Sequence, residues 1–473
     1  MTSCHAPNHH TDKLLNPIYF MVMRQNWLPY AKTNAPRYTS YPTAVQFNEN
    51  TNLETATDWM KSLNPDEAIS VYTHIPFCEK LCWYCGCHTT IPNGYDRIGR
   101  YFETLLKEVQ LWKEELGQHA GASHVHFGGG TPNALNADHM LQLLDALHDA
   151  FRIREDAEIA IELDPRTLDL NMIRSLAAGG VNRASLGVQD FNLKVQQAVN
   201  RVQPFELVRE SVERLRNWGI RGLNFDLLYG LPFQTADTVR DTALKAAKLA
   251  PDRISAFGYA HVPWFAKHQK AIDENALPDT EARFALFNVI AETLQSEGYV
   301  AIGLDHFARE EDPLAKALSA GSLKRNFQGY TDDACDTLIA MGASGISEFR
   351  HGYCQNLKNI RDWSECVESG KLPIQRGVPV SDDDRLRRKI IEKLMCDMSV
   401  DVEEICQQQG HSDTELNKCF EFLKPLANDD ICHIDGSVVS VPDDARIFLR
   451  SVAQAFDEYA SPSNNSPRHA KAV

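Results

Sequence analysis

No stretch of about eighteen consecutive apolar residues occurs in the chain, so the sequence offers no helix suited to crossing a bilayer. The start, Met1-Thr-Ser-Cys-His-Ala-Pro-Asn-His-His, has neither the charged flank nor the apolar stretch of an export signal. The expectations are a cytoplasmic location and no membrane insertion. A basic excess is missing as well: Lys and Arg number 48 against 64 Asp and Glu, a net charge of -16. General nucleic-acid binding is therefore excluded, because it needs clustered cations to displace counterions. An anionic substrate would require a locally basic pocket. Without an export signal, the twelve cysteines read as reduced thiols and metal ligands rather than a disulfide framework. Cys335, Cys354, Cys366, Cys396, Cys406, Cys419 and Cys432 are scattered and read as ordinary buried thiols.

Four others are clustered. In His74-Ile-Pro-Phe-Cys-Glu-Lys-Leu-Cys-Trp-Tyr-Cys-Gly-Cys87, residues Cys78, Cys82 and Cys85 form C-x3-C-x2-C, with Cys87 just behind. Three thiolates from one loop can hold three irons of a four-iron cluster and leave the fourth open to bind and reduce a substrate. If Cys87 closed the cluster, the site would mainly pass electrons, as in a ferredoxin-like carrier. Structural zinc usually takes two ligand pairs from separate knuckles, and no second C-x2-C or H-x3-H pair follows here.

At 473 residues and 43% apolar content, the chain can build one large domain and a smaller one. From residue 68 to about 305, short β-branched runs alternate with amphipathic helical stretches, the pattern of a parallel sheet with crossover helices. Strands are expected at Ile69 to Ile75, His124 to Phe127, Ile159 to Leu163, Arg183 to Val188, Leu223 to Leu228 and Ile254 to Tyr259. Six such units predict an α/β fold, an incomplete (β/α)6 barrel. Strand parity places Ile159, Ile161 and Leu163 on one face and Glu162 on the other. It likewise separates Gln189 from Leu186 and Val188, and Asp226 from Phe225 and Leu227. With the apolar faces under the helices, Glu162, Gln189 and Asp226 converge inside, at the carboxyl ends where barrel active sites sit. The same parity turns Ala260 outward. Gly128-Gly-Gly-Thr-Pro132 follows the second strand, and its glycines let backbone approach a ligand such as an amino acid's carboxylate and ammonium.

Pro36-Arg-Tyr-Thr-Ser-Tyr-Pro-Thr43 reads as an extended arm. After residue 380, helices at 382–396, 400–409 and 413–423 precede a hairpin over 431–441 turning at Asp435-Gly436, then a last helix. The expected organisation is a tail and arm over 1–67, the barrel and its extension over 68–375, and a small helical, winged-helix-like domain over 376–473. That last unit is expected to act as a lid or packing domain, and Met1 to about Leu15 and Ser461 onward as loose tails.

The cysteine spacing, the aromatic residue before Cys85 and the Gly-Gly-Gly-Thr-Pro turn resemble the radical S-adenosylmethionine (SAM) superfamily. Further runs are similar to one family within it, the oxygen-independent coproporphyrinogen III oxidases (dehydrogenases). They are Arg37 to Ala44, Cys85-Gly-Cys87, Glu162-Leu-Asp-Pro-Arg166, Gly187-Val-Gln-Asp-Phe191, Asp226 to Pro232, Asp305-His-Phe-Ala308 and Asn326-Phe-Gln-Gly-Tyr330. The resemblance spans about residues 25 to 460. It implies that Cys78, Cys82 and Cys85 ligate a [4Fe–4S] cluster whose open iron chelates SAM. It also implies that Tyr72, Gly129, Glu162 and Ile346 hold this SAM, and that Tyr84, Gly130, Thr131, Gln189, Arg201, Asp226 and Ala260 hold a second one. Tyr84 stands where some members carry phenylalanine.

The implied reaction is the radical decarboxylation of two propionates of coproporphyrinogen III to vinyl groups, giving protoporphyrinogen IX in haem synthesis without oxygen. A flavin or small-protein electron donor and a monomeric state go with it. Four propionates on an acidic protein call for local cations, and Arg37 with Lys324 or Arg325 is expected to supply them. Two relatives compete, a haem chaperone and haem-degrading enzymes of the same superfamily. Cys87, where the chaperone has a phenylalanine-type residue, and the Arg37 to Ala44 arm favour the oxidase.

Overall fold

A computed structural model describes residues 23–460; both expected tails lie outside the described residues. The six expected strands form as β1 (Ile69–Ile75), β2 (Ala122–Gly129), β3 (Glu158–Leu163), β4 (Arg183–Gln189), β5 (Gly222–Tyr229) and β6 (Arg253–Gly258). Consecutive members pair in parallel, joined by amphipathic crossovers such as Ala137–Phe151 and Leu170–Ala178. Asn136 and Asp169 start these two helices by accepting from the His139 and Met172 amides at 2.8 Å each. Alternation of buried and half-exposed residues runs the length of β4 and β5, so the polar face of each strand points into the barrel.

The sheet is larger than six strands. β7 (Val300–Ile302) and β8 (His306–Ala308) extend it antiparallel beyond β6. A hairpin of β9 (Lys324–Asn326) and β10 (Gly329–Thr331) stands apart. β11 (Leu338–Met341) then pairs in parallel with β1 and is followed by antiparallel β12 (Ile346–Phe349), β13 (Gly352–Asn356) and β14 (Ile374–Pro379). The order β14-β13-β12-β11-β1-β2-β3-β4-β5-β6-β8-β7 leaves the barrel open. Seven parallel strands, β11 and β1 to β6, thus replace the expected six. β11 has four residues, all buried, and so carries no alternation to announce it.

A buried carboxyl group secures that additional strand. Glu108, on the helix Asp96–Glu115, accepts from the Gly342 amide (2.8 Å), Asn356 Nδ2 (2.7 Å) and Trp363 Nε1 (3.0 Å). Burial pushes its carboxyl up to about 7 despite these donors.

Beyond β14 come the helix Asp382–Asp397, β15 (Ser399–Asp401), the helices Val402–Gln409 and Asn417–Asn428, and a hairpin of β16 (His433–Asp435) and β17 (Val438–Ser440). β15 pairs with β17, completing the three-stranded wing. The amino-terminal arm forms no helix over 36–43, but it bends at residues 39–42 with Tyr38 at φ 48° rather than running extended, and it packs on this end of the chain. The Tyr38 hydroxyl donates to Asp457 (3.0 Å), the Glu458 amide donates to the Tyr41 hydroxyl (2.9 Å), and Arg450 reaches the Ala35 carbonyl (3.2 Å).

Candidate active site

At the carboxyl end of β1, the chain leaves the sheet as the cysteine loop. Cys78, Cys82, Cys85 and Cys87 all line one cavity of about 170 Å³. Outlying segments hold the loop in place: Asn200 donates to the Leu81 carbonyl (2.8 Å), the His268 ring lies 2.7 Å from the Cys85 carbonyl, and Gln269 donates to the Tyr84 carbonyl (3.0 Å). Thr89 and Thr131 place hydroxyls 3.2 and 3.3 Å from Cys78 Sγ. Arg201 and Arg166 approach Cys82 Sγ at 3.4 and 3.5 Å. A hydrogen bond from the Cys87 thiol pulls Cys85 down to about 6, against the burial that raises it. Cys87 therefore acts here as a donor to Cys85.

The cavity's floor comes from the ends of β2 to β5. A Cβ on Gly129 would lie 2.6 Å from the His74 ring, and one on Gly130 would lie 2.7 Å from the Phe77 carbonyl oxygen. Gly129 also has φ 113°, so both backbone shape and space require glycine there. Gln189 closes β4 at φ 65°, a strained value for a side-chain-bearing residue, and it lines the cavity. Arg201 is buried, donating to Asp164 (3.3 Å) and the Gly187 carbonyl (2.6 Å), while its buried Nε has no partner. Asp226 accepts from Ser185 (3.0 Å) and Asn224 (2.9 Å). Burial, then the charge of Glu162, push Asp226 up to about 6. Glu162 accepts from, or pairs with, His126 at 3.2 Å.

Of the residues expected to hold the two SAM molecules, Tyr84, Gly129, Gly130, Thr131, Glu162, Gln189, Arg201 and Asp226 line this cavity with the cysteines. Tyr72 stands behind it, its hydroxyl 3.1 Å from His74 Nδ1 and its ring stacked on His126. Ile346 begins β12 and packs among Phe47 and Tyr353, outside the residues that line the cavity. Ala260 follows the end of β6, where strand parity no longer applies; it borders a larger chamber, contrary to the outward orientation that parity gave it. Gln269 donates to the carbonyls of both Ala260 (3.2 Å) and Tyr84 (3.0 Å), a link that no motif revealed. Asp164 and Arg166, bridged at 2.5 Å, are further cavity residues that the Glu-Leu-Asp-Pro-Arg run could have signalled.

Glu162, Ser185 and Asp226 also line an inner cavity of about 180 Å³, which shares Phe257, His306 and Gln328 with a chamber of about 760 Å³. Five basic side chains line that chamber: Lys32, Arg37, Arg283, Arg325 and Arg450. Arg325 donates to the Arg37 carbonyl (3.4 Å), and its buried Nε and Nη1 have no partner. Burial and then Arg37 pull Arg450 down to about 10, against Tyr229 and Asp305, which raise it. Lys324, the alternative to Arg325 in the sequence, turns instead toward Glu392, 3.8 Å away.

The donor set fits a [4Fe–4S] cluster and SAM. Three thiols converge beside glycines with no room for a Cβ, and an orphaned guanidinium nitrogen and two carboxylates stand opposite. With the open parallel sheet, this defines a radical SAM enzyme. The family model for the radical SAM superfamily matches residues 72–246. The oxygen-independent coproporphyrinogen III oxidase of Bradyrhizobium diazoefficiens is 45% identical, over 94% of this chain and 98% of its own. That of Helicobacter pylori is 36% identical over 90% and 94%. The solved coproporphyrinogen III oxidase of Escherichia coli, described as a radical SAM enzyme, superposes with a TM-score of 0.86 at 36% identity, covering 90% of this chain and 98% of its own. The chain belongs to the oxygen-independent coproporphyrinogen III oxidase family.

Proposed function

We propose that the protein converts two propionate side chains of coproporphyrinogen III to vinyl groups, giving protoporphyrinogen IX in haem synthesis without oxygen. The observation that carries this reading is the cation-lined chamber of about 760 Å³, which shares walls with the inner cavity that in turn shares walls with the three-thiol cavity. Its volume suits an enclosed multi-ring ligand. Cysteine-bound cluster and SAM, when present, supply a 5′-deoxyadenosyl radical able to take hydrogen from an unactivated carbon. Each propionate then gives up one β-hydrogen atom, CO2 and one electron, which a separate acceptor must receive.

The chain's own residues bind, orient and exclude water. Cys78, Cys82 and Cys85 are the cluster ligands in this reading; Tyr72, Gly129, Glu162 and Ile346 serve a first SAM, and Tyr84, Gly130, Thr131, Gln189, Arg201, Asp226 and Ala260 a second. Arg201 Nε, buried without a partner, is available to a carboxylate, and burial makes such a charge-assisted bond strong. Arg37 and Arg325 bind propionates, joined by Arg283 and Arg450, which the sequence alone did not single out. Lys324, held toward Glu392, acts less directly. The protein works in this reading as a cytoplasmic monomer that receives electrons from a flavin or a small redox protein. No helix among the described residues is long and apolar enough to cross a membrane, in keeping with that location.

The test is anaerobic incubation of the reconstituted protein with dithionite, SAM and coproporphyrinogen III. Protoporphyrinogen IX, methionine and 5′-deoxyadenosine are the expected products. SAM cleavage with the tetrapyrrole unchanged would overturn the substrate, and tight haem binding in its place would favour a chaperone.

A further inference from the structure

At the opposite, amino end of the parallel strands, a nitrogen, a carboxylate and a sulfur donor meet. His124, Asp333 and Cys335 bring their ligand atoms within 4.8 Å of one another. His124 Nδ1 lies 3.3 Å from Asp333 Oδ1. We propose that these three side chains form a second metal site, a zinc centre that fastens the seventh parallel strand to the barrel.

Each donor is oriented by a neighbour. The Ser123 hydroxyl lies 3.2 Å from His124 Nδ1 and 3.1 Å from Cys335 Sγ. Ser70 donates to the second oxygen of Asp333, and the Cys335 amide donates to the first at 2.9 Å. Such outer partners fix ligand geometry in metal sites. Ser70 and His124 are register partners on β1 and β2, whereas Asp333 and Cys335 sit on the segment entering β11. One ion would thus bridge β2 and the segment entering β11, with β1 attached through Ser70. Ser70 also donates its amide to the Thr337 carbonyl at 2.9 Å, so the metal would reinforce an existing seam.

The donor chemistry selects the ion. One imidazole, one thiolate and one carboxylate suit zinc, whereas magnesium and calcium prefer oxygen alone. His124 and Asp333 face the inner cavity of about 180 Å³, from which water can complete a tetrahedral shell. Binding breaks the Cys335 S–H bond and releases the proton to solvent; no electron moves. This site shares no residue with the cavity that contains Cys78, Cys82 and Cys85.

Cluster-loaded holoenzyme, incubated anaerobically with zinc chloride and desalted, tests the idea by elemental analysis and zinc-edge X-ray absorption. One zinc per chain is expected, with one sulfur near 2.3 Å and nitrogen or oxygen at roughly 2.0–2.2 Å. In competition with a chelator, C335S and D333N should each weaken retention about 100-fold, near the top of the range seen for metal-site substitutions. Absence of retained zinc overturns the proposal, as does a shell with two or more sulfurs, which would place the ion on the cluster cysteines. The absorption spectrum of the unaltered protein decides this even if both variants fold poorly.

Discussion

The cavity beside the cysteines and the large chamber are both rich in arginine, yet their arginines are held differently. Around the cysteines, Arg166 and Arg201 are tied to Asp164 at 2.5 and 3.3 Å, and both also face Cys82. In the chamber, Arg37, Arg325 and Arg450 lie around one buried carboxylate, Asp305, and Arg325 has two buried nitrogens without hydrogen-bond partners. Guanidinium groups neutralised within the fold set the shape of a site. Those that outnumber the carboxylate beside them favour an incoming polyanion, because it makes new charge-assisted bonds in a positive pocket.

Substitutions can break that contrast. Cys82→Ala should abolish SAM cleavage entirely and lower bound iron, read by product chromatography and iron analysis. Next, Arg201→Met leaves Asp164 with one fewer buried cation and should cost about 3 kcal/mol of stability by denaturant unfolding, together with SAM affinity. The chamber should behave in the opposite way. Arg325→Ala should raise the KM for coproporphyrinogen about 10- to 100-fold with stability little changed, since two of its buried nitrogens have no hydrogen bond to lose. Lys324→Ala is its control and should change KM less than about twofold, as its charge is directed at Glu392, 3.8 Å away, instead of at the substrate. Equal effects at Arg325 and Lys324 would erase the distinction.

The smallest effect concerns a buried group outside both cavities. Glu108 titrates near 7 in the fold, above its ordinary value, so the native state holds its proton over a range where the unfolded chain has lost it. Stability should therefore fall as pH rises through that window, by about 1 kcal/mol between about pH 6 and pH 8 from this group. Glu108→Gln should flatten that part of the profile in paired unfolding curves.

Much of the barrel was legible because its strands alternate. Parity alone turned Glu162, Gln189 and Asp226 inward, and all three line the cavity. Parity failed where alternation stops: at Ala260, just past β6, and at β11, whose residues are all buried. The cysteine loop was legible by spacing, since its donors come from one short segment. The chamber was not. Its wall draws on residues as far apart as Arg37, Arg283 and Arg450. Equally hidden were Gln269 and His268, which clasp the cysteine loop from a distant short helix. Neither spacing nor periodicity reports contacts that only the folded chain creates. Cys335 shows the same limit, since a thiol that reads as ordinary in sequence gains His124 as a neighbour, beside the adjacent Asp333, only when β11 joins β1.

The contact between Arg450 and the Ala35 carbonyl, 415 residues apart in sequence, orders the making of the enzyme in time. On the ribosome, the cysteine loop and the strands behind it emerge long before Arg450 does. The substrate chamber gains its last wall only when the carboxyl-terminal segment folds back onto the arm. The residues of the three-thiol cavity all precede that segment in the chain, so the tetrapyrrole site is the later of the two to be completed.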